Sequence, residues 1–128
     1  MSFGRDIERI AAKTRKSIEE VMRATALELF SSVIKDTPVD TGRARGNWQA
    51  SIGSPEDGET NATESTALAK VRSVSKGWSI GEVIWLTNNL PYIRRLEYAS
   101  WSKQAPGGMV RKNVARIQRI VKAEAAKQ

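Results

Sequence analysis

The sequence predicts an α+β fold in which a long N-terminal helix, a short middle helix and a C-terminal helix pack on one side of a small antiparallel sheet. Three observations predict it. Apolar residues recur at steps of three and four near both ends of the chain; Ile80 to Thr87 (IGEVIWLT) is dense in β-branched and aromatic residues; and runs rich in Gly, Pro and Asn separate these segments. The 128 residues suit a single domain spanning 1–128.

In chain order, Ile7, Ile10, Thr14, Ile18, Val21, Thr25, Leu29 and Val33 form one apolar stripe, predicting a continuous amphipathic helix. Ser2 can cap its start. Arg15 with Glu19 and Lys16 with Glu20 stand at ion-pair spacing on the opposite face. Pro38 cannot continue a helix and holds Thr37 extended, so the helix is expected to end near Lys35. At ~1.5 Å per residue it would be ~45 Å long, wider than a domain of this mass, so part would overhang or meet another chain. Arg45 to Ile52, with Trp48, reads as a strand. Gly53 to Asn61 (GSPEDGETN) has no periodicity and reads as a mobile loop. Thr63 to Val74 reads as a short helix with Leu68, Val71 and Val74 on one side and Glu64 beside the positive end of its dipole. Ile80 to Thr87 is the clearest strand, expected to pair with the Trp48 strand so that Trp48 and Trp85 both face the helices. Tyr92 to Tyr98 is a helical turn after Pro91, and Gly107 to Lys127 a final helix burying Val110, Val114, Ile117 and Val121.

Composition narrows the chemistry. With no Cys and no His, there is no thiolate nucleophile, disulfide or imidazole base, and a zinc ion would have only carboxylates. Val83 to Tyr92, the longest uncharged stretch, is far shorter than the ~20 apolar residues of a spanning helix, and the charged start at Arg5 and Asp6 lacks a signal-peptide core. The expectation is a soluble, intracellular protein with no membrane partner. The net charge of +7 is uneven: residues 36–66 carry a net −4 and residues 111–128 a net +5. Such a surface is suited to an acidic partner, or is simply a solvated helix.

Asp36, Asp40, Glu82 and Glu97 form no catalytic motif. Asp40-Thr41-Gly42 reads as a turn capped by the Asp, Glu97 as a structural ion-pair partner near Arg94 and Arg95, and Gly107-Gly108 as a helix entrance without the Lys-Ser/Thr of a phosphate loop. No enzyme activity and no cofactor are expected. Arg111, Lys112, Arg116, Arg119 and Lys122 give the last helix a basic face, fit for nonspecific contact with DNA or an acidic protein but lacking stacking aromatics or a zinc or helix-turn-helix signature. Asn88 to Val110 (NNLPYIRRLEYASWSKQAPGGMV) packs Tyr, Trp, Arg and Met, the types enriched at protein interfaces, into a short connection. Its interface candidates are Tyr92, Leu96, Tyr98, Trp101, Lys103, Gln104, Pro106 and Met109; the alternative is that its aromatics roof the chain's own core.

TPVDTGRARGNW (Thr37 to Trp48), NNLPYIRRLEY (Asn88 to Tyr98) and WSKQAPGGMVR (Trp101 to Arg111) resemble, in order and spacing, the neck and tail-completion family of long-tailed bacteriophages, related to the lambda-type minor tail protein Z. The resemblance spans residues from about 7 to 122. It implies a non-catalytic α+β virion protein, assembled in the host cytoplasm, that joins the finished tail to the head. It also implies a homo-oligomeric ring, a hexamer if it matches the tail tube, around the DNA channel, with other neck, tail-tube or tail-terminator proteins as neighbours. Tail terminator and head-side connector roles belong to the same neck. A stand-alone basic DNA-binding domain is the alternative from another class.

Overall fold

A computed structural model describes residues 2–39, 42–98 and 108–126. Among them the elements run α1 (Phe3–Thr14), α2 (Ile18–Asp36), α3 (Arg43–Gly46), β1 (Gln49–Ile52), α4 (Glu64–Gly77), β2 (Ile84–Thr87), α5 (Ile93–Tyr98) and α6 (Val110–Ala126). The class is α+β, as predicted, with helices packed against one two-stranded antiparallel sheet that pairs Gln49 with Thr87 and Ile52 with Ile84.

The single long N-terminal helix is corrected to two. Ser2 caps α1 as expected, its side chain accepting from the Arg5 N–H at 3.2 Å. The helix then stops at Arg15, which takes a left-handed backbone and returns its N–H to the Ala11 carbonyl. Ser17 starts α2, its hydroxyl accepting from the Glu20 N–H at 3.0 Å and lying 3.4 Å from the Glu20 carboxylate. This Ser-x-x-Glu arrangement caps a helix inside what reads as one continuous stripe. The break lets α1 turn away from the α2 axis, so that Ile7 and Ala11 meet Val21, Ile117 and Val121 in one apolar cluster. No overhanging helix remains. The expected pairing of Glu19 with Arg15 gives way to Arg23, whose guanidinium lies 2.7 Å from the Glu19 carboxylate.

The far end of α2 is as predicted, with Thr37 extended before Pro38. Arg45 closes this end from outside: its Nε donates to the Thr37 carbonyl and one Nη to the Lys35 carbonyl, both at 2.7 Å, while the other grips both Glu64 oxygens. That reach requires a helical turn, so the strand expected from Arg45 begins only at Gln49. Gly46 lies so close to the backbone of Ala62 that a Cβ there would collide with its carbonyl. Trp48 is buried just ahead of β1, its indole N–H donating to the Thr37 hydroxyl at 2.8 Å.

The second strand is also shorter than its sequence suggests. The Glu82 carboxylate accepts from the Ser79 N–H at 2.9 Å and the Glu82 carbonyl from the Trp78 indole at 2.8 Å, folding Ile80 to Glu82 into a turn. Trp85 is correspondingly misplaced by the prediction: it is 39% exposed and points away from the helices, donating to the Gly53 carbonyl at 3.2 Å. In the loop before α4, Asn47 exchanges two hydrogen bonds with the backbone of Thr60, and Gln49 and Asn89 both donate to the Gly58 carbonyl at 2.9 Å. Thr63 caps α4 through the Thr66 N–H, and Leu68, Val71 and Val74 all reach the core.

Two apolar clusters result. The first joins Val33 and Ile34 of α2 to Trp48, Ala50, Val71, Leu90, Leu96 and Met109; the second lies between α1, α2 and α6. Leu29 packs against both, so α2 is their shared spine. The buried line of α6 is corrected to Asn113, Ile117, Val121 and Ala125. Val110 and Val114 are exposed, Val114 lining an apolar groove of about 330 Å³ with Phe3, Met22, Leu29, Phe30 and Ile84.

The two tryptophans should therefore differ. Trp48→Ala is expected to cost about 3 to 5 kcal/mol, the range for emptying a buried aromatic site, whereas Trp85→Ala should cost about 1 kcal/mol or less. Urea unfolding of both variants checks this, and equal losses would contradict the outward placement of Trp85.

Candidate assembly surface

At the stem of the 99–107 segment, the sequence puts a carboxylate at the end of one helix and a Gly before another. The chain brings them together. Glu97 of α5 is buried, and its carboxylate accepts from the backbone N–H groups of Met109 at 2.7 Å, Val110 at 2.8 Å and Arg111 at 3.0 Å. These are the N–H groups that the first turn of α6 leaves without helical partners, and the positive end of the helix dipole lies among them. The Arg111 guanidinium adds an ion pair at 2.9 Å and a bond to the Glu97 carbonyl, and sits 4.7 Å from the centre of the Tyr98 ring.

Burial raises the pKa of Glu97, but the N–H groups of Arg111 and Val110, the Arg111 side chain and the Met109 N–H outweigh it, so the carboxyl stays below its ordinary 4.5. Gly108 makes room for this contact. Its φ is +81°, and a Cβ there would fall 2.6 Å from both the Glu97 carbonyl and a carboxylate oxygen. Glu97 is thus an ion-pair partner, as the sequence suggests, but of Arg111 rather than Arg94 or Arg95. Gly108 stands at a helix entrance, also as expected.

The proposed interface residues separate into three groups. Leu96 and Met109 are buried in the first cluster and are corrected to parts of the chain's own core, while Tyr92 is half-buried against it. Tyr98 is 62% exposed and remains on the surface. Trp101, Lys103, Gln104 and Pro106, with Asp40, Thr41 and Gly107, lie outside the described residues.

No protein-family model, curated protein or solved structure matches this chain.

The basic face of α6 is only partly free. Arg111 is held by Glu97, and Lys112 lies 3.5 Å from the Asp36 carboxylate. Arg116 turns towards α2, donating to the Ser32 hydroxyl at 2.6 Å and standing 3.3 Å from Glu28. Arg119 and Lys122 are exposed and form no ion pair among the described residues. No group of three acidic side chains able to hold a metal ion occurs among the described residues, and no described helix is long and apolar enough to cross a membrane.

The two Asn residues that open the second motif block bind backbone carbonyls elsewhere in the chain. Asn88 donates to the Ala44 carbonyl at 3.0 Å and accepts from the Leu90 N–H, and Asn89 donates to the Glu56 and Gly58 carbonyls at 2.9 Å. What sequence reasoning missed is Asn113, fully buried on α6, whose amide donates to Asp36 at 2.9 Å and to the Met109 carbonyl at 2.8 Å. A polar residue one helical turn before Ile117 on the apolar line was the available signal.

Removing the charge at the α6 entrance tests this account. Glu97→Gln should cost about 2 kcal/mol at neutral pH, the scale of hydrogen bonds to a charged group. Because the folded-state pKa is lowered, the wild-type advantage is fully present above the ordinary carboxylate pKa and is lost as pH falls through it towards the folded value. Melting curves of the two proteins from pH 7 to 3 should converge on acidification, and a constant gap would contradict the assignment.

Proposed function

We propose that this chain is a structural virion protein of a long-tailed phage, completing or joining the tail at the head–tail interface as part of a homo-oligomeric ring around the DNA channel. One observation supports this reading above the others: the three sequence blocks that resemble the neck and tail-completion family close on one another. Thr37 receives Trp48, Ala44 receives Asn88, and Glu97 receives Met109 to Arg111. The residues that carry the resemblance are spent on holding a framework, which suits a protein whose work is assembly rather than catalysis.

That framework fixes both ends of the 99–107 segment, with Glu97 on one side and Gly108 on the other. A segment with anchored ends loses less entropy on docking, and Trp101 within it is the anchor type that dominates interface energetics. The ring order of six rests on the family resemblance. A small basic domain that binds DNA nonspecifically is the second reading, favoured by the exposed Arg119 and Lys122.

Deleting the coding sequence from its phage should leave DNA-filled heads beside full-length, unattached tails in electron micrographs. Normal joined particles would overturn the neck reading. An isolated monomer that binds duplex DNA with a steep salt dependence would favour the second.

A further inference from the structure

We propose that neighbouring copies of this chain meet head to tail, the acidic loop after β1 of one copy seating on the cationic outer face of α6 of the next. This deepens the ring reading above and rests on it.

The loop from Gly53 to Asn61 holds Glu56, Asp57 and Glu59. Glu59 pairs with Arg43, whereas Glu56 and Asp57 are exposed and form no ion pair among the described residues. Their backbone is held, since Asn89 donates to the Glu56 and Gly58 carbonyls and Gln49 to Gly58. At the root of the loop stand two exposed apolar side chains, Trp85, bonded to the Gly53 carbonyl, and Val83, 56% exposed. The patch therefore offers negative charge beside an aromatic anchor on a backbone that need not be ordered on docking.

The complementary surface is the solvent side of α6. Arg119 and Lys122 are its cations, both exposed and in no ion pair among the described residues. Ile120 and Glu124 lie round the helix, in the groove with Ile10 and Val21.

No ion pair joins the two patches within one chain among the described residues. α2 turns Val21, Glu28 and Ser32 towards α1 and α6, and Leu27, Phe30 and Ile34 towards the cluster that contains the sheet and α4. The sheet that carries the acidic loop and the helix that carries the cations thus flank α2, with the groove lined by Ile84, Val114 and Gln118 between them. Complementary patches at different places on one chain are what a heterologous contact needs, and such a contact closes into a ring when its rotation divides the circle. A nucleic acid on α6 would satisfy the cations but add nothing to Glu56 and Asp57, which share a pocket with Lys70 yet form no ion pair among the described residues, so a second copy of the chain is the better occupant.

Two charge-swapped full-length chains test this, one carrying Arg119→Glu and Lys122→Glu, the other Glu56→Lys and Asp57→Lys. All four side chains are exposed, so both variants should melt like the wild type. In sedimentation at low salt, each alone should self-associate about tenfold or more weakly than wild type, because like charges then face each other. Mixed in equal amounts they should assemble again, alternating round the ring. Wild-type-sized assemblies from either variant alone would overturn the contact and leave the ring reading standing, and so would a mixture that stays apart. If the α6 swap abolishes retention on duplex DNA while assembly is untouched, the face belongs to nucleic acid and the proposal fails. A wild-type chain that stays monomeric at every concentration and salt would overturn contact and ring together.

Discussion

The structure depends on one buried carboxylate. Taking Glu97 out of water is costly unless its oxygens find donors, and the donors it finds are backbone N–H groups that α6 would otherwise leave unsatisfied. Two costs cancel in one contact. Its position matters as much as its strength. Leu96 and Met109, on either side of the clamp, belong to the cluster around the sheet, whereas Ile117 and Val121 further along α6 belong to the cluster with α1. The angle at which α6 leaves the first cluster is therefore set by Glu97 and by Asn113, which ties the same turn to Asp36 at the end of α2. Without that fixed departure, the second cluster would lose the helix that covers it.

Much of this was legible in the sequence, and the failures have physical causes. Periodicity located the helical segments and β-branched residues located β2, because burial on one face is written into side-chain type. The break at Arg15 was hidden because the apolar stripe continues across it in register. Only Ser17 and Glu20, three apart, betray it, and such a pair in mid-helix is usually read as part of the polar face. Arg45 was misread for a related reason. A strand propensity around Trp48 is local, but the guanidinium answers to the bare carbonyls of Lys35 and Thr37, and that distant demand fixes a helical turn instead.

The candidate site was legible in outline and wrong in several of its members. Tyr, Leu, Met and Arg in a connection carry no mark that separates an interface from a core. Leu96 and Met109 went inside because the clamp between their neighbours draws the segment's two ends onto the first cluster, a consequence of Glu97 that composition does not express. Val110 and Val114 failed in the opposite sense. They fit an apolar stripe, yet the helix presents Asn113 inward because the amide is needed at Asp36 and at the Met109 carbonyl, and this rotates both valines outward.

The same rotation explains how charge is distributed over α6. Its first half faces α2, where Asp36 and Glu28 accept Lys112 and Arg116, so those cations have intrachain work. Past Arg116 no acidic side chain of α2 forms an ion pair with the helix, and α2 itself has turned to Thr25 and Val21, apolar or small where α6 crosses it. Arg119 and Lys122 form no ion pair among the described residues and stand before the last turn of α6, beyond the main reach of the helix dipole, where solvent and salt screen their charge. An exposed cation held so weakly contributes little to folding and remains available to a partner outside the chain. Glu56 and Asp57, on the sheet side of α2, share a pocket with Lys70 but likewise form no ion pair among the described residues. What segregates the two is the spine itself: a single helix shared by both clusters keeps the oppositely charged surfaces apart within each copy.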